Sequence, residues 1–199
     1  LQSADMHDHS WNSRLMPGAK NRTLGLVGFG GIGTEVAKRA VPFGMKVIYF
    51  CRHPNPADDA AYGVQSVSME ELLKESDYVV AAVPLTDQTF HLFNEECIAQ
   101  MKAGSVLINI ARGPVVDEEA LAQALASGHL GGCAVDVFPK EPCTDSVLTR
   151  YSNALLTPHS ATSTAENSKA TNFAAANNLV NYLKKDIDAK YVVVQGTRY

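Results

Sequence analysis

The sequence predicts an α/β fold built on a doubly wound parallel sheet. Three observations predict it. Short apolar runs recur along the chain, among them "TLGLVG", "KVIYF", "DYVVAAV" and "GSVLINI". Amphipathic segments such as "GIGTEVAKRAVPFG" and "DEEALAQALASG" separate them. A glycine-rich turn, "GFGGIG", joins the first run to the first amphipathic segment. Runs that are apolar at nearly every position are strands covered on both faces, the condition of parallel strands joined by crossover helices.

Taken in order, residues 1–22 are polar and punctuated by Pro17-Gly18, which predicts a connecting arm or short helix. "TLGLVG" is the first strand. The helix after it carries Ile32, Val36, Ala37 and Ala40 on its inner face and ends at Gly44. "KVIYF" is the second strand, and the Pro/Asn/Asp-rich stretch that follows reads as a loop. "SMEELLKES" is a short helix with Ser68 as its cap and Glu71 at the capping-box position. "DYVVAAV" is a strand, "NEECIAQM" a helix and "GSVLINI" a strand. "DEEALAQALASG" is a helix closed by Gly128, "GGCAVDVF" and "NALLTP" are further strands, and a last helix spans Ala165 to Lys185. The expected division is an arm over 1–22, a dinucleotide-binding domain over 23–164 and a C-terminal helix and tail over 165–199.

Bulk properties narrow the function. The chain has 199 residues, 46% hydrophobic and 19% charged, enough for one substantial core. A formal net charge of −4 with no block of like charge argues against a nucleic-acid or polybasic membrane surface. No apolar run approaches the ~20 residues that span a bilayer, and no secretory leader is evident. The four cysteines, Cys51, Cys97, Cys133 and Cys143, form no CxxC pair and sit at no zinc-ligand spacing with the histidines. They are expected to be reduced, mostly buried thiols of a cytoplasmic protein with no metal site. The first residue is Leu rather than Met, which suggests a piece of a longer protein.

The turn reads Gly28-x-Gly30-x-x-Gly33, with a strand before it and a helix after it. That context makes it a dinucleotide fingerprint. Gly28 permits the tight turn, Gly30 lets the backbone approach a pyrophosphate, and Gly33 lets the helix pack close to the strand. The helix N-terminus then offers free N–H groups to the phosphates. At the end of the second strand, NAD-binding units usually carry an acidic residue for the adenosine ribose. Here the chain reads "VIYFCRHP", with Cys51 at that position and Arg52 and His53 next. No anion repels a ribose 2′-phosphate there and a guanidinium is available to pair with it, which favours NADP over NAD. The alternative is that Arg52 is a solvated loop residue and Asp58 or Asp59 reaches the ribose.

Ligands of a doubly wound sheet sit outside the carboxyl ends of its strands. Arg112 follows "VLINI", Glu141 follows "CAVDVF", and His159 follows "ALLTP". Each has an ordinary explanation alone: a surface ion pair, a loop charge, a satisfied core histidine. Three at strand ends beside a dinucleotide turn favour a catalytic group.

With these residues in view, the chain resembles the D-isomer-specific 2-hydroxyacid dehydrogenases, from about Arg22 to Asn178. The motifs that carry the resemblance are "GFGGIG", "NIARGPVVDEEAL", "GGCAVDVFPKEP" and "LLTPHSA", in family order. The resemblance implies that Arg112 pairs with the substrate carboxylate and polarises the carbonyl. His159 is then the general acid in reduction and the base in oxidation, and Glu141 holds its imidazole. Asp136 holds the nicotinamide carboxamide. The implied cofactor contacts are Gly28, Gly30, Gly31, Ile32, Gly33, Cys51, Arg52, Val83, Pro84, Ala111, Asp136 and Ser160. The implied reaction is hydride transfer between NAD(P)H and a small 2-keto or 2-hydroxy acid.

Family members carry a further N-terminal segment that forms most of the substrate domain and that this sequence lacks. This stretch alone is therefore expected to bind cofactor but turn over little. Glu141 argues against a formate-oxidising member, where glutamine is typical. Cys51-Arg52 leans toward NADP-preferring glyoxylate/hydroxypyruvate reductases and away from 3-phosphoglycerate dehydrogenases, which remain the alternative enzyme reading. A dinucleotide-sensing corepressor-type binding protein is the alternative outside enzymology, since such relatives keep the same Arg, Glu and His. The short-chain dehydrogenases are set aside, because neither TGxxxGxG nor Tyr-x-x-x-Lys occurs. By family analogy the protein is expected to be a homodimer.

Overall fold

Thr23–Val27 (β1) and Lys46–Phe50 (β2) pair in parallel, in register from Thr23 opposite Lys46 to Val27 opposite Phe50. They belong to a seven-stranded sheet. In this computed structural model the described residues are 18–184, with His7, His9, Trp11, Asp186 and Asp188. The remaining strands are β3 (Gln65–Ser66), β4 (Tyr78–Ala81), β5 (Val106–Asn109), β6 (Gly132–Val135) and β7 (Ala154–Leu156). Every strand pairing is parallel, and the order is β3-β2-β1-β4-β5-β6-β7. The order reverses between β1 and β4, the switch point at which such sheets open a crevice beyond their carboxyl ends.

The helices are α1 (Gly31–Ala40), α2 (Pro56–Tyr62), α3 (Met69–Glu75), α4 (Glu95–Ala99), α5 (Glu118–Ala126) and α6 (Ala165–Leu183). Strand residues alternate between two cores. Leu24, Leu26, Val47, Tyr49 and Val80 pack with Ala37 and Ala40 of α1 on one face. Val27, Ile48, Val79, Ala81 and Leu107 pack with Leu72 of α3, Ile98 of α4 and Leu121 of α5 on the other. A helix layer on each face is why the strands read as continuous apolar runs.

Several expected elements are adjusted. The stretch after β2, expected to be a loop, contains α2. Its start signals are local: Asn55 accepts a hydrogen bond from the Ala57 amide at 3.1 Å, Pro56 opens the helix, and Gly63 closes it at φ 66. The strand expected over "GGCAVDVF" ends at Val135, so Asp136 lies just beyond its carboxyl end. "DYVVAAV", "GSVLINI" and "NALLTP" likewise contain shorter strands than their apolar runs. Ser68 caps α3 as expected, accepting from the Glu71 amide at 3.2 Å. Ile32, expected on the inner face of α1, is 57% exposed, because that face begins only at Gly33. Of the cysteines, Cys133 is buried and the other three are half-buried, and all four are free thiols.

Two compact units make up the chain, Leu1–Pro158 and His159–Tyr199. The first contains the whole sheet. The second is built on α6, where Thr164 accepts from the Asn167 amide at 3.1 Å. The arm expected over 1–22 lies largely outside the described residues, as does Lys185, the expected end of α6. No helix among the described residues is long and apolar enough to cross a membrane.

Candidate functional site

β1 runs straight into the glycine turn. Gly28 adopts φ 103, a left-handed conformation that side chains resist, and a Cβ there would stand 2.4 Å from the Ala82 carbonyl oxygen. Gly33 approaches the same turn from α1, with its hypothetical Cβ 2.5 Å from the Gly28 oxygen. These two glycines are therefore filled by the protein itself. Gly30 and Gly31 are different: a Cβ on either meets no atom within 4 Å. Gly30 caps α1 without a side-chain hydrogen bond. The first turn of a ten-residue helix thus faces open space over bare backbone, as close approach of a phosphate requires.

The turn forms one wall of a groove of about 450 Å³ at the switch point. Gly28 and Gly30 line it with Cys51 and Arg52 from the end of β2 and with Val83 and Pro84 from the segment after β4. Six of the expected cofactor contacts are thereby brought together. Cys51 is half-buried, and Arg52 and His53 are exposed on the groove wall. Neither Asp58 nor Asp59 lines the groove. Asp59 instead accepts a hydrogen bond from the Tyr49 hydroxyl at 2.7 Å.

Sequence reading missed other parts of this wall. Phe29, between the fingerprint glycines, lines the groove and stacks on Tyr49 with centroids 4.1 Å apart. Thr86 and Thr89 line it too. The Thr89 hydroxyl donates to the Pro84 carbonyl at 2.6 Å and accepts from the Thr86 amide at 2.8 Å, folding the segment after β4 into a fixed turn. The i, i+3 threonine spacing in "PLTDQT" is the signal that could have found it.

The carboxyl ends of β5 and β6 carry the next group. Asn109, the polar residue that ends an apolar strand, is 1% exposed. Its Oδ1 accepts from the Ala111 amide and its Nδ2 donates to the Arg112 carbonyl, each at 3.1 Å. The amide therefore shapes the loop that presents Arg112. Gly113 follows because a Cβ there would stand 2.0 Å from the Phe138 carbonyl carbon, so the loops after β5 and β6 touch backbone to backbone. Ala111 is buried, whereas Arg112 is exposed, with Nη1 donating to the Ala111 carbonyl at 2.7 Å. Asp136 is 7% exposed, and its Oδ1 accepts from the Thr157 hydroxyl at 2.5 Å. Glu141 is exposed and anchored to its own loop, its Oε1 accepting from the Phe138 amide at 2.9 Å.

Since all strands run the same way, Gly28, Arg52, Val83, Arg112 and Asp136 lie along one edge of the sheet, beyond its carboxyl ends. His159 and Ser160 belong to the second unit. There His159 is exposed and holds a left-handed backbone, φ 49, an uncommon state for a residue with a Cβ. A second hollow of about 320 Å³ lies between α4 and α5, bordered by Glu95, Gln123 and His129. It carries no glycine cradle, and the His129 ring is bonded to the Ile98 carbonyl at 3.0 Å. No cluster of His, Cys, Asp or Glu suited to a metal occurs among the described residues.

Comparison with known proteins places this arrangement. Residues 2–161 match the sequence profile described as "D-isomer specific 2-hydroxyacid dehydrogenase, NAD binding domain". A glyoxylate reductase of Thermococcus litoralis is 42% identical over 175 residues, 88% of this chain and 53% of that protein. A hydroxypyruvate reductase of Thermotoga maritima is 42% identical over 170 residues, 82% of this chain and 54% of that protein. The crystal structure of D-lactate dehydrogenase from Aquifex aeolicus, complexed with NAD and lactic acid, superposes with a TM-score of 0.88 at 30% identity, over 98% of this chain and 65% of that one. The chain spans about half the length of these two curated relatives.

Proposed function

The chain belongs to the D-isomer specific 2-hydroxyacid dehydrogenases, as their NAD-binding domain, and on that premise we propose that it is the cofactor-holding part of an oxidoreductase acting on small 2-keto or 2-hydroxy acids. The observation that carries this reading is the groove at the switch point, where open backbone at Gly30 and Gly31 meets the free N-terminus of α1. A dinucleotide fits these residues: its pyrophosphate against the Gly28–Gly33 turn and its adenosine ribose toward Cys51 and Arg52. Arg52, and the lack of a carboxylate among the described residues that line the groove, support NADP over NAD. When bound, the cofactor supplies or accepts the hydride.

The chain's own groups do the rest. Arg112 pairs through its planar fork with the substrate carboxylate and polarises the neighbouring carbonyl. His159 donates a proton to the carbonyl oxygen in reduction and takes it back in oxidation. Its left-handed backbone, an uncommon conformation of the kind that gathers at functional sites, supports that role. Glu141 orients the imidazole, and buried Asp136, steadied by Thr157, receives the nicotinamide carboxamide. The relatives named above favour glyoxylate or hydroxypyruvate as substrate. We extend the reading to a cytoplasmic homodimer, which sedimentation of the purified protein tests for its oligomeric part.

Two measurements test the proposal. Calorimetry of this chain with NADPH and NADH should show binding of at least one; two flat titrations overturn the cofactor reading. Steady-state rates of the complete gene product with glyoxylate, hydroxypyruvate, pyruvate and 3-phosphohydroxypyruvate should rank one of the first two highest. Highest turnover with 3-phosphohydroxypyruvate instead overturns the substrate assignment.

A further inference from the structure

Cofactor choice in this fold turns on whether a carboxylate reaches the adenosine ribose. The strand-end position holds Cys51, yet two carboxylates, Asp58 and Asp59, follow within the first turn of α2. Asp59 is the one whose place is fixed by specific bonds. Its Oδ1 accepts from the Tyr49 hydroxyl at 2.7 Å, and its Oδ2 faces the Ser66 amide of β3 at 3.5 Å. Tyr49 is wholly buried in β2, two residues before Cys51. The Tyr49 ring underlies Phe29, which itself forms the groove wall. Asp59 thus bonds to the layer behind that wall.

We propose that Tyr49 is a positioning residue for cofactor selectivity, its hydroxyl holding the Asp59 carboxylate out of the adenosine end of the groove. The idea rests on the dinucleotide reading above and deepens it, because it names what keeps the ribose end free of negative charge. The phenol is a permanent donor. Burial, and then the neighbouring Asp59 carboxylate, push the Tyr49 phenol up to about 12, so it keeps its proton throughout the neutral range. A half-buried carboxylate that loses this donor is left poorly satisfied and gains by turning toward solvent or toward ribose hydroxyls. There it repels a 2′-phosphate.

The test is the ratio of NADPH to NADH dissociation constants, measured by calorimetry on this chain and on variants. Tyr49→Phe should shift that ratio toward NADH by about tenfold. Adding Asp59→Asn in the same chain should cancel the shift, since the released group then carries no charge. A merely structural tyrosine weakens both cofactors alike and is not rescued by Asp59→Asn. An unchanged ratio in Tyr49→Phe, or a shift that survives in the double variant, overturns the proposal. Asp59→Asn alone keeps an acceptor for the hydroxyl and reads the same question without disturbing the core. It should leave the ratio within about twofold, and a rise of about tenfold toward NADPH would show that the charge already acts in the groove and overturn the idea. If the parent chain binds neither dinucleotide, the cofactor reading itself fails. If the parent binds and the variants behave as it does, only the role of Tyr49 fails.

Discussion

At the amino edge of the sheet, one carboxylate gathers its partners; at the carboxyl edge, two arginines stand exposed. Asp77 sits just before β4. It accepts from Arg22 at 3.1 Å, from Lys102 at 2.8 Å and from the Thr23 amide at 2.9 Å, clasping the approaches to β1, β4 and β5. Its side chain is only 14% exposed. Across the sheet, Arg52 and Arg112 stand exposed, and Gly30 and Gly31 face open space. The same strands supply both edges, so the difference lies in the loops. One set closes on itself and holds the sheet together; the other leaves two arginines and the backbone of the glycine turn facing open space. Such a division predicts that stability and binding can be altered separately.

The sharpest separation should come from His159→Ala in the full-length protein, which is expected to lower kcat by roughly 10²–10⁴ while leaving cofactor affinity and melting temperature intact. Unchanged kcat at saturating cofactor removes His159 from the mechanism. The opposite pattern belongs to Asp77→Ala. It strands the Thr23 amide and two cations, and should cost about 2 kcal/mol of stability by denaturant titration with dinucleotide affinity unchanged at temperatures where the variant stays folded. A parallel loss of affinity would mean that the two edges are coupled.

Acid should find the amino edge. Burial raises the Asp77 carboxyl, but hydrogen bonds from Lys102, the Thr23 amide and Arg22 together hold it below its ordinary value. A lowered carboxyl contributes stability that is fully present above its unfolded value near ~3.9 and is lost as pH falls through the folded one. The melting temperature should therefore drop more steeply below that range in the parent than in Asp77→Asn. Equal acid profiles would show that the clasp carries no such linkage.

Smaller effects complete the contrast. Arg52→Asp should weaken NADPH relative to NADH by roughly tenfold, with no change in melting temperature. Equal discrimination before and after shows that Arg52 does not read the phosphate. Lys46→Ala breaks the 2.7 Å pair with Glu75, whose partners are each about half exposed. It should leave the denaturation midpoint nearly unchanged, since exposed pairs contribute on the order of 0–1 kcal/mol.

Much of the carboxyl edge was legible in the sequence because its signals are local. A strand, three spaced glycines and a helix occupy one short stretch, and the backbone constraint at Gly28 acts within it. The loop after β2 was half legible. Asn55-Pro56 and Gly63 are helix signals, but the density of Pro, Asn and Asp there is equally a loop signal. Ile32 misled for a different reason. Helical periodicity identifies a stripe, not where along the helix the stripe meets the sheet, and α1 makes contact only from Gly33 onward. Asn109 is a polar residue at the end of an apolar run, but its bonds to Ala111 and Arg112 depend on the turn that the chain makes there.

By itself, then, the sequence determined the succession of doubly covered strands, the glycine turn and the absence of an acid at the end of β2. Periodicity, backbone sterics and residue identity act over a few neighbouring positions and need no knowledge of the rest of the chain. Tertiary structure alone decided the strand order and hence the place of the crevice. It also decided that Gly113 meets Phe138 and that Asp59 turns to Tyr49 rather than to the groove. Each of these is a contact between residues on different elements, set by how whole layers pack.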